Sequence, residues 1–140
     1  MKPRITGLTI GVDDLKKSLK SYRDGLGLKA EGIVGEEFEY GPGVFFDFQD
    51  DLKLALYPRK TLARDAGISE TPACATELSI RHKVKSKEEV DQVMDQAKRA
   101  GAKVIKPAQK TVWGGYAGYF QGPDGRLWEI AWNPAWEMSE

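Results

Sequence analysis

Glu129 stands in the stretch GPDGRLWEIAWNP (122–134), between Trp128 and Ile130, where large apolar residues otherwise alternate as in a buried strand. A carboxylate in such a place has three uses. It can ligate a metal, given other donors nearby. It can act as a general base, if burial raises its pKa. Or it can hydrogen-bond a ligand or pair with a cation such as Arg81 or Lys53, which avoids an unpaired buried charge. Partners for the first two uses are scarce. The only histidine, His82, shares by alternation the face of Ile80 and Val84, so it reads as a packed strand-end residue and not as a ligand. The only cysteine, Cys74, lies in a linker with no evident histidine partner and reads as a small linker residue. Asp47 and Glu77 have no spacing that gathers three donors. The pocket reading is therefore preferred for Glu129.

The elements that position Glu129 repeat. RITGLTIGV (4–12) reads as a strand, and Asp13 or Asp14 can cap a helix carrying Leu15, Leu19, Tyr22 and Leu26, with Gly27 as its stop. Residues 28–34 read as a weak strand. VFFDF (44–48) and LKLALY (52–57) read as a hairpin around Asp50-Asp51. A linker with room for one short helical turn follows. The plan then restarts. ELSIRHKV (77–84) reads as a strand. Ser86 and Glu89 form a capping-box pattern before the stripe Val90, Val93, Met94 and Ala97, and Gly101 ends the helix. Residues 102–106, YAGYFQ and RLWEIAW supply three more strands, the last two around Pro123-Asp124-Gly125. The fold class is α+β: two βαβββ modules with curved mixed sheets forming a cavity. One domain spans 1–140, as a first module (1–58), a linker (59–75) and a second module with a C-terminal tail (76–140). Phe48-Gln49 and Phe120-Gln121 are taken as matching landmarks.

Alternation then sorts the faces. Leu8, Ile10 and Val12 pack on the first helix, leaving Ile5, Gly7, Thr9 and Gly11 opposite. Leu78, Ile80 and Val84 pack on the second, leaving Glu77, Ser79, Arg81 and Lys83 opposite. Lys53, Ala55 and Tyr57 oppose Leu52, Leu54 and Leu56. Leu127, Glu129 and Ala131 oppose Trp128, Ile130 and Trp132. The second face is small and polar, as a ligand cavity requires. Trp113 and Tyr116 flank Gly114-Gly115 and are candidates to line it and stack on a flat ligand. The candidate ligand-binding residues are Glu129, Ser79, Arg81, Glu77, Gly7, Thr9, Ala55, Tyr57, Trp113 and Tyr116, with Glu129 the candidate catalytic residue if the protein is an enzyme.

Three stretches, IGVDDLKKSLKSYRDGLGL, HKVKSKEEVDQVMDQAKRAGAKVIKPAQ and GGYAGYFQGPDGRLWEIAW, resemble the vicinal oxygen chelate superfamily of glyoxalase I, bleomycin-resistance proteins and extradiol dioxygenases. The resemblance implies two βαβββ modules around a cavity and a homodimer, in which a tryptophan-rich tail ending near Trp136 would contribute a subunit contact. It also implies a divalent metal held from four strands, at positions that fall near Gly7, Ala55, Ser79 and Glu129. Of these, glycine and alanine offer no donor and a neutral serine hydroxyl is a poor one, so no metal and no cofactor are expected. Two functions follow. One is a metal-free binder of a small organic molecule, as bleomycin-resistance-like members are. The other is a glyoxalase I-like lyase or related enzyme, metal-dependent or using Glu129 as base.

The balance of 21 basic and 21 acidic residues leaves no excess charge to neutralise phosphates, which disfavours nucleic acid as a partner. No apolar run approaches bilayer-spanning length, and MKPRITGLTIGVDDL has no long apolar leader core, so neither a membrane span nor a secretory signal is expected. A lone cysteine fits a reducing cytoplasm.

Overall fold

The computed structural model describes residues 1–38 and 41–135. Trp136, assigned above to a subunit contact, lies outside the described residues. The chain divides into two compact units, Met1–Ala73 and Cys74–Glu140, and each carries one open sheet.

The first unit runs β1 (Gly7–Val12), α1 (Leu15–Leu19), a π-helical continuation (Lys20–Gly25), β2 (Val44–Asp47), β3 (Lys53–Pro58) and α2 (Arg59–Ala66). Its sheet has the order β1-β3-β2, with β1 parallel and β2 antiparallel to β3. Asp14 caps α1 by accepting from the Lys17 amide at 3.0 Å. The sequence places one helix over 14–26, and the structure splits it. The Leu26 amide donates to the Ser21 carbonyl five residues back, and Gly27 then takes φ +76° and stops the winding. Ile10, Val12, Val44, Phe46, Leu54 and Leu56 are buried with Leu19 and Tyr22, and the Tyr22 and Phe46 rings lie 6.0 Å apart. The β2–β3 turn has positive φ at both Asp50 and Asp51, a left-handed pair that aspartate tolerates.

Two expectations fail in this unit. Residues 28–34 make no strand beyond a single bridge, Val34 to Gly43. Gly32 and Gly35 both take positive φ there, and a strand cannot run through such residues. The segment after β3 is more than a helical turn: α2 is a helix of eight residues, closed by Gly67 at φ +72°.

The second unit runs β4 (Ser79–Lys83), α3 (Lys87–Arg99), β5 (Lys103–Lys110), β6 (Tyr116–Gln121) and β7 (Leu127–Trp132). Its sheet order is β4-β7-β6-β5, with β4 parallel to β7 and the rest antiparallel. Ser86 Oγ accepts from the Glu89 amide at 3.1 Å, while Glu89 reaches back to the Lys85 amide at 3.2 Å, a capping box shifted by one residue. Val90, Met94 and Ala97 bury the helix stripe against Phe120, Trp128 and Ile130, and the Phe120 and Trp128 rings stack 6.2 Å apart. β5 runs longer than the expected 102–106 and shifts register twice around Pro107, which has no amide to donate. Leu78, expected inside, is 44% exposed because the strand starts one residue later.

The two units share one strand register. Thr9 opposes Ala55 in β1–β3, and Arg81 opposes Glu129 in β4–β7. This also corrects the repeat alignment. Phe46 opposes Leu54 as Phe120 opposes Trp128, so the counterpart of Phe120 is Phe46 and not Phe48.

Candidate functional site

Residues paired across a sheet share a face. In the second unit Tyr119 of β6, Glu129 of β7 and Arg81 of β4 form one row across three strands. The rows beside it are Gln121, Leu127 and Ser79 on one side, and Ala117, Ala131 and Lys83 on the other. Trp128, Ile130 and Trp132 point the opposite way, toward α3. Packing thus fixes β7 in a register that leaves Glu129 no choice of face.

Glu129 is 6% exposed, yet its charge is fully engaged. Arg81 Nε donates to Oε1 in a close ion pair. The Tyr119 hydroxyl donates to Oε2 at 3.0 Å. Desolvation and then this hydrogen bond raise the Tyr119 phenol above its usual 10.0, and the Arg81 charge only partly opposes the rise. Arg81 itself reaches solvent, its side chain 53% exposed.

A cleft of about 450 Å³ opens beside this row, lined by Arg81, Lys83, Trp113, Ala131, Asn133 and Ala135. Trp113 belongs to the β5–β6 turn, which is closed by the Thr111 amide on the Gly115 carbonyl and the Gly115 amide on Thr111 Oγ1. The indole lies directly on Gly115. A Cβ there would sit 1.9 Å from Trp113 Cζ3, so only glycine lets the ring rest in place. Asn133 Oδ1 accepts from the Ala135 amide at 2.9 Å, which leaves its NH₂ as the group for other contacts.

The remaining candidates are placed as follows. Ser79 is exposed on the Glu129 face of the sheet. Glu77 lies before β4 and is exposed beside Cys74, whose Sγ is 3.9 Å from its Oε1. Tyr116, grouped by sequence with the ligand-binding residues, turns to the other face: it opposes Trp132 and donates to Asp91 of α3 at 2.8 Å. Tyr116 lies three residues before Tyr119 along β6, an odd number, so alternation turns it to the opposite face. His82 opposes Ile130 and faces away from Glu129.

In the first unit Gly7, Thr9, Lys53, Ala55 and Tyr57 share one sheet face with Phe45 and Asp47. Tyr57 meets Phe45 edge-on, with ring centroids 6.0 Å apart. A cavity of about 380 Å³ lies against this face, lined in part by Lys29, Glu31, Phe45, Asp47 and Lys53. Lys53 is tied to Asp47 in an ion pair.

Sequence placed Tyr119 only among the aromatics near Gly114-Gly115 and not beside Glu129, although a signal for that pairing existed. Gly122 and Arg126 hydrogen-bond across the PDG turn, and counting outward from them pairs Tyr119 with Glu129.

The fold agrees with the comparisons. Residues 4–130 match the Glyoxalase/Bleomycin resistance protein/Dioxygenase superfamily. The uncharacterised protein YraH of Bacillus subtilis strain 168 is 32% identical over 121 residues, 85% of this chain and 90% of that one. A glyoxalase-related enzyme from Fulvimarina pelagi has a similar structure, with TM-score 0.82 and 29% identity over 98% of this chain and 93% of its own. A lactoylglutathione lyase from Agrobacterium tumefaciens shares the fold, with TM-score 0.69 and 21% identity over 99% of this chain and 100% of its own. This chain belongs to the Glyoxalase/Bleomycin resistance protein/Dioxygenase superfamily.

The metal that the family resemblance implies does not fit the residues present. Gly7 and Ala55 have no side-chain donor, and both oxygens of Glu129 are already engaged. No group of three or more His, Cys, Asp or Glu residues able to hold a metal occurs among the described residues. A catalytic site of this kind normally needs three protein ligands. Among the described residues no helix is long and apolar enough to cross a membrane.

Proposed function

We propose that this chain is a metal-free binding member of its superfamily. It takes a small organic molecule on the β4–β7–β6 face, and it is not a glyoxalase-type lyase. The observation that carries this reading is the state of Glu129, whose two oxygens are bound by Arg81 and Tyr119. A carboxylate so held is neither an open metal ligand nor a free base. It is a positioning group that fixes Arg81 at the lip of the cleft. Ser79 and Lys83 extend the polar face, and Trp113 supplies an apolar wall. The family resemblance also supports a homodimer, which sedimentation at micromolar concentration tests. The single cysteine supports a cytoplasmic setting.

The test is turnover of the hemithioacetal of methylglyoxal and glutathione, with zinc or nickel supplied in excess. The reading expects no rate above the metal-containing buffer. Isomerisation that Glu129→Ala abolishes would overturn it and restore the lyase.

A further inference from the structure

β5 is an edge strand whose register shifts twice, and the shifts decide which of its side chains join the Glu129 face. Simple alternation from Lys103 would set Ile105 and Pro107 on that face and turn Lys106 behind it. The first shift passes over Ile105, so that Lys106 opposes Tyr119. The second restores the phase at Gln109, which opposes Ala117. The face of Tyr119 and Glu129 therefore continues across β5 as Lys103, Lys106 and Gln109, all exposed. A bulge re-aims a side chain in this way beside a site.

The charge on this rim is not answered from the sheet. Lys103 and Lys106 enter no ion pair among the described residues. Among the described residues, the one carboxylate that the four-stranded ladders place on this face is Glu129. It stands two strands from Lys106, about 10 Å, and Arg81 and Tyr119 hold its oxygens. Lys103 shares a row with Gln121 and Leu127, so the rim lies toward the start of β7, away from the Trp132 end. Lysine, proline and bulges on an edge strand also keep it from pairing with another chain. That protection works with the lysines on either face. It does not require the step that puts Lys106 beside Tyr119.

Resting on the small-molecule reading above, we infer that Lys103 and Lys106 form a basic rim that takes an acidic group of the ligand, a carboxylate or a phosphate ester. The two ammonium groups act as point charges and accept either anion, without the fork geometry that would choose between them. Gln109 takes no part, because its side-chain amide donates to the Pro107 carbonyl at 3.2 Å. The body of the ligand extends from the rim over Tyr119 and Ala117 toward β7.

The experiment titrates the full ¹⁵N-labelled chain with four matched probes: hexyl phosphate, heptanoate, hexanol and hexylammonium. Amide shifts at Lys103, Lys106 and Tyr119 report binding. The acidic probes are expected to bind at least about tenfold more tightly than hexanol, as one charge-assisted contact provides. Lys106→Gln should remove most of that margin, Lys106→Arg should keep it, and Lys98→Gln on α3 should leave it unchanged. A margin for one acid alone identifies which anion the rim takes. If hexanol or hexylammonium binds at these residues as tightly as the acids, the rim assignment is overturned and the small-molecule reading stands. The assignment is equally overturned if the double variant Lys103→Gln with Lys106→Gln keeps full acid affinity. Self-association of that variant would then mark the lysines as edge guards only. If no probe shifts these amides at millimolar concentration, the rim assignment falls, and the binding reading is decided by the turnover test above.

Discussion

Arg81 and Glu129 face each other directly across the parallel β4–β7 ladder, and Arg81 Nε holds one carboxylate oxygen while Tyr119 holds the other. The two ends of this pair differ in exposure. Glu129 is buried and Arg81 is half in solvent. Removing the cation therefore strands a buried charge, whereas changing the carboxylate to an amide need not strand anything.

That asymmetry gives an ordering. Glu129→Gln can keep its oxygen on Arg81 and donate its NH₂ to a rotated Tyr119 hydroxyl, so it should cost about 1 kcal/mol or less. Arg81→Met should cost ~1–3 kcal/mol, because a buried acceptor loses its charged partner. Urea denaturation of both variants and of the double variant checks the order. Equal costs, or additivity in the double variant, would contradict the coupling.

Tyr119 sets an alkaline signature. Its folded pKa is raised, by desolvation first and by Glu129 second. Below pH 10 both folded and unfolded states carry the proton. Above it the unfolded chain releases the proton first, so this stabilising contribution is lost as pH rises through the folded pKa. Tyr119→Phe removes the titration and should flatten the alkaline fall in stability. An unchanged fall in the variant would contradict the assignment.

Gly115 carries a prediction of its own. Gly115→Ala places a methyl group on the Trp113 ring and near the Trp132 carbonyl. The indole must leave, so its fluorescence should shift toward that of exposed tryptophan, and ligand affinity should fall about as far as in Trp113→Ala. A crystal structure of the variant with the ring unmoved would refute this.

The caps and stops were legible in the sequence because each is local. Asp14, Ser86, Gly27 and Gly101 act within one helical turn of themselves. The face of Glu129 was legible because Trp128, Ile130 and Trp132 can point only at the helix. What was not legible depends on register or on backbone sign. The counterpart of Phe120 was misplaced by two residues because the second unit carries two more residues between its first strand and β6, although the two hairpin turns are equally long. Residues 28–34 read as a strand because positive φ at Gly32 and Gly35 has no signal beyond glycine itself. Tyr116 was assigned to the ligand face because its phase depends on where β6 begins after the Thr111–Gly115 turn. The surroundings of Glu129 were legible only in part. Sequence offered Arg81 as one cation that could pair with it, and the structure makes that pair and adds the Tyr119 hydroxyl.

The central claim is that Glu129 is held by protein partners and leaves no place for a metal. The most direct measurement is the content of zinc, nickel and iron, by elemental analysis, in protein purified without chelators and then incubated with each ion and desalted. The account predicts a content far below one ion per chain, unchanged by Glu129→Gln. Near-stoichiometric metal that is lost in Glu129→Gln would contradict it.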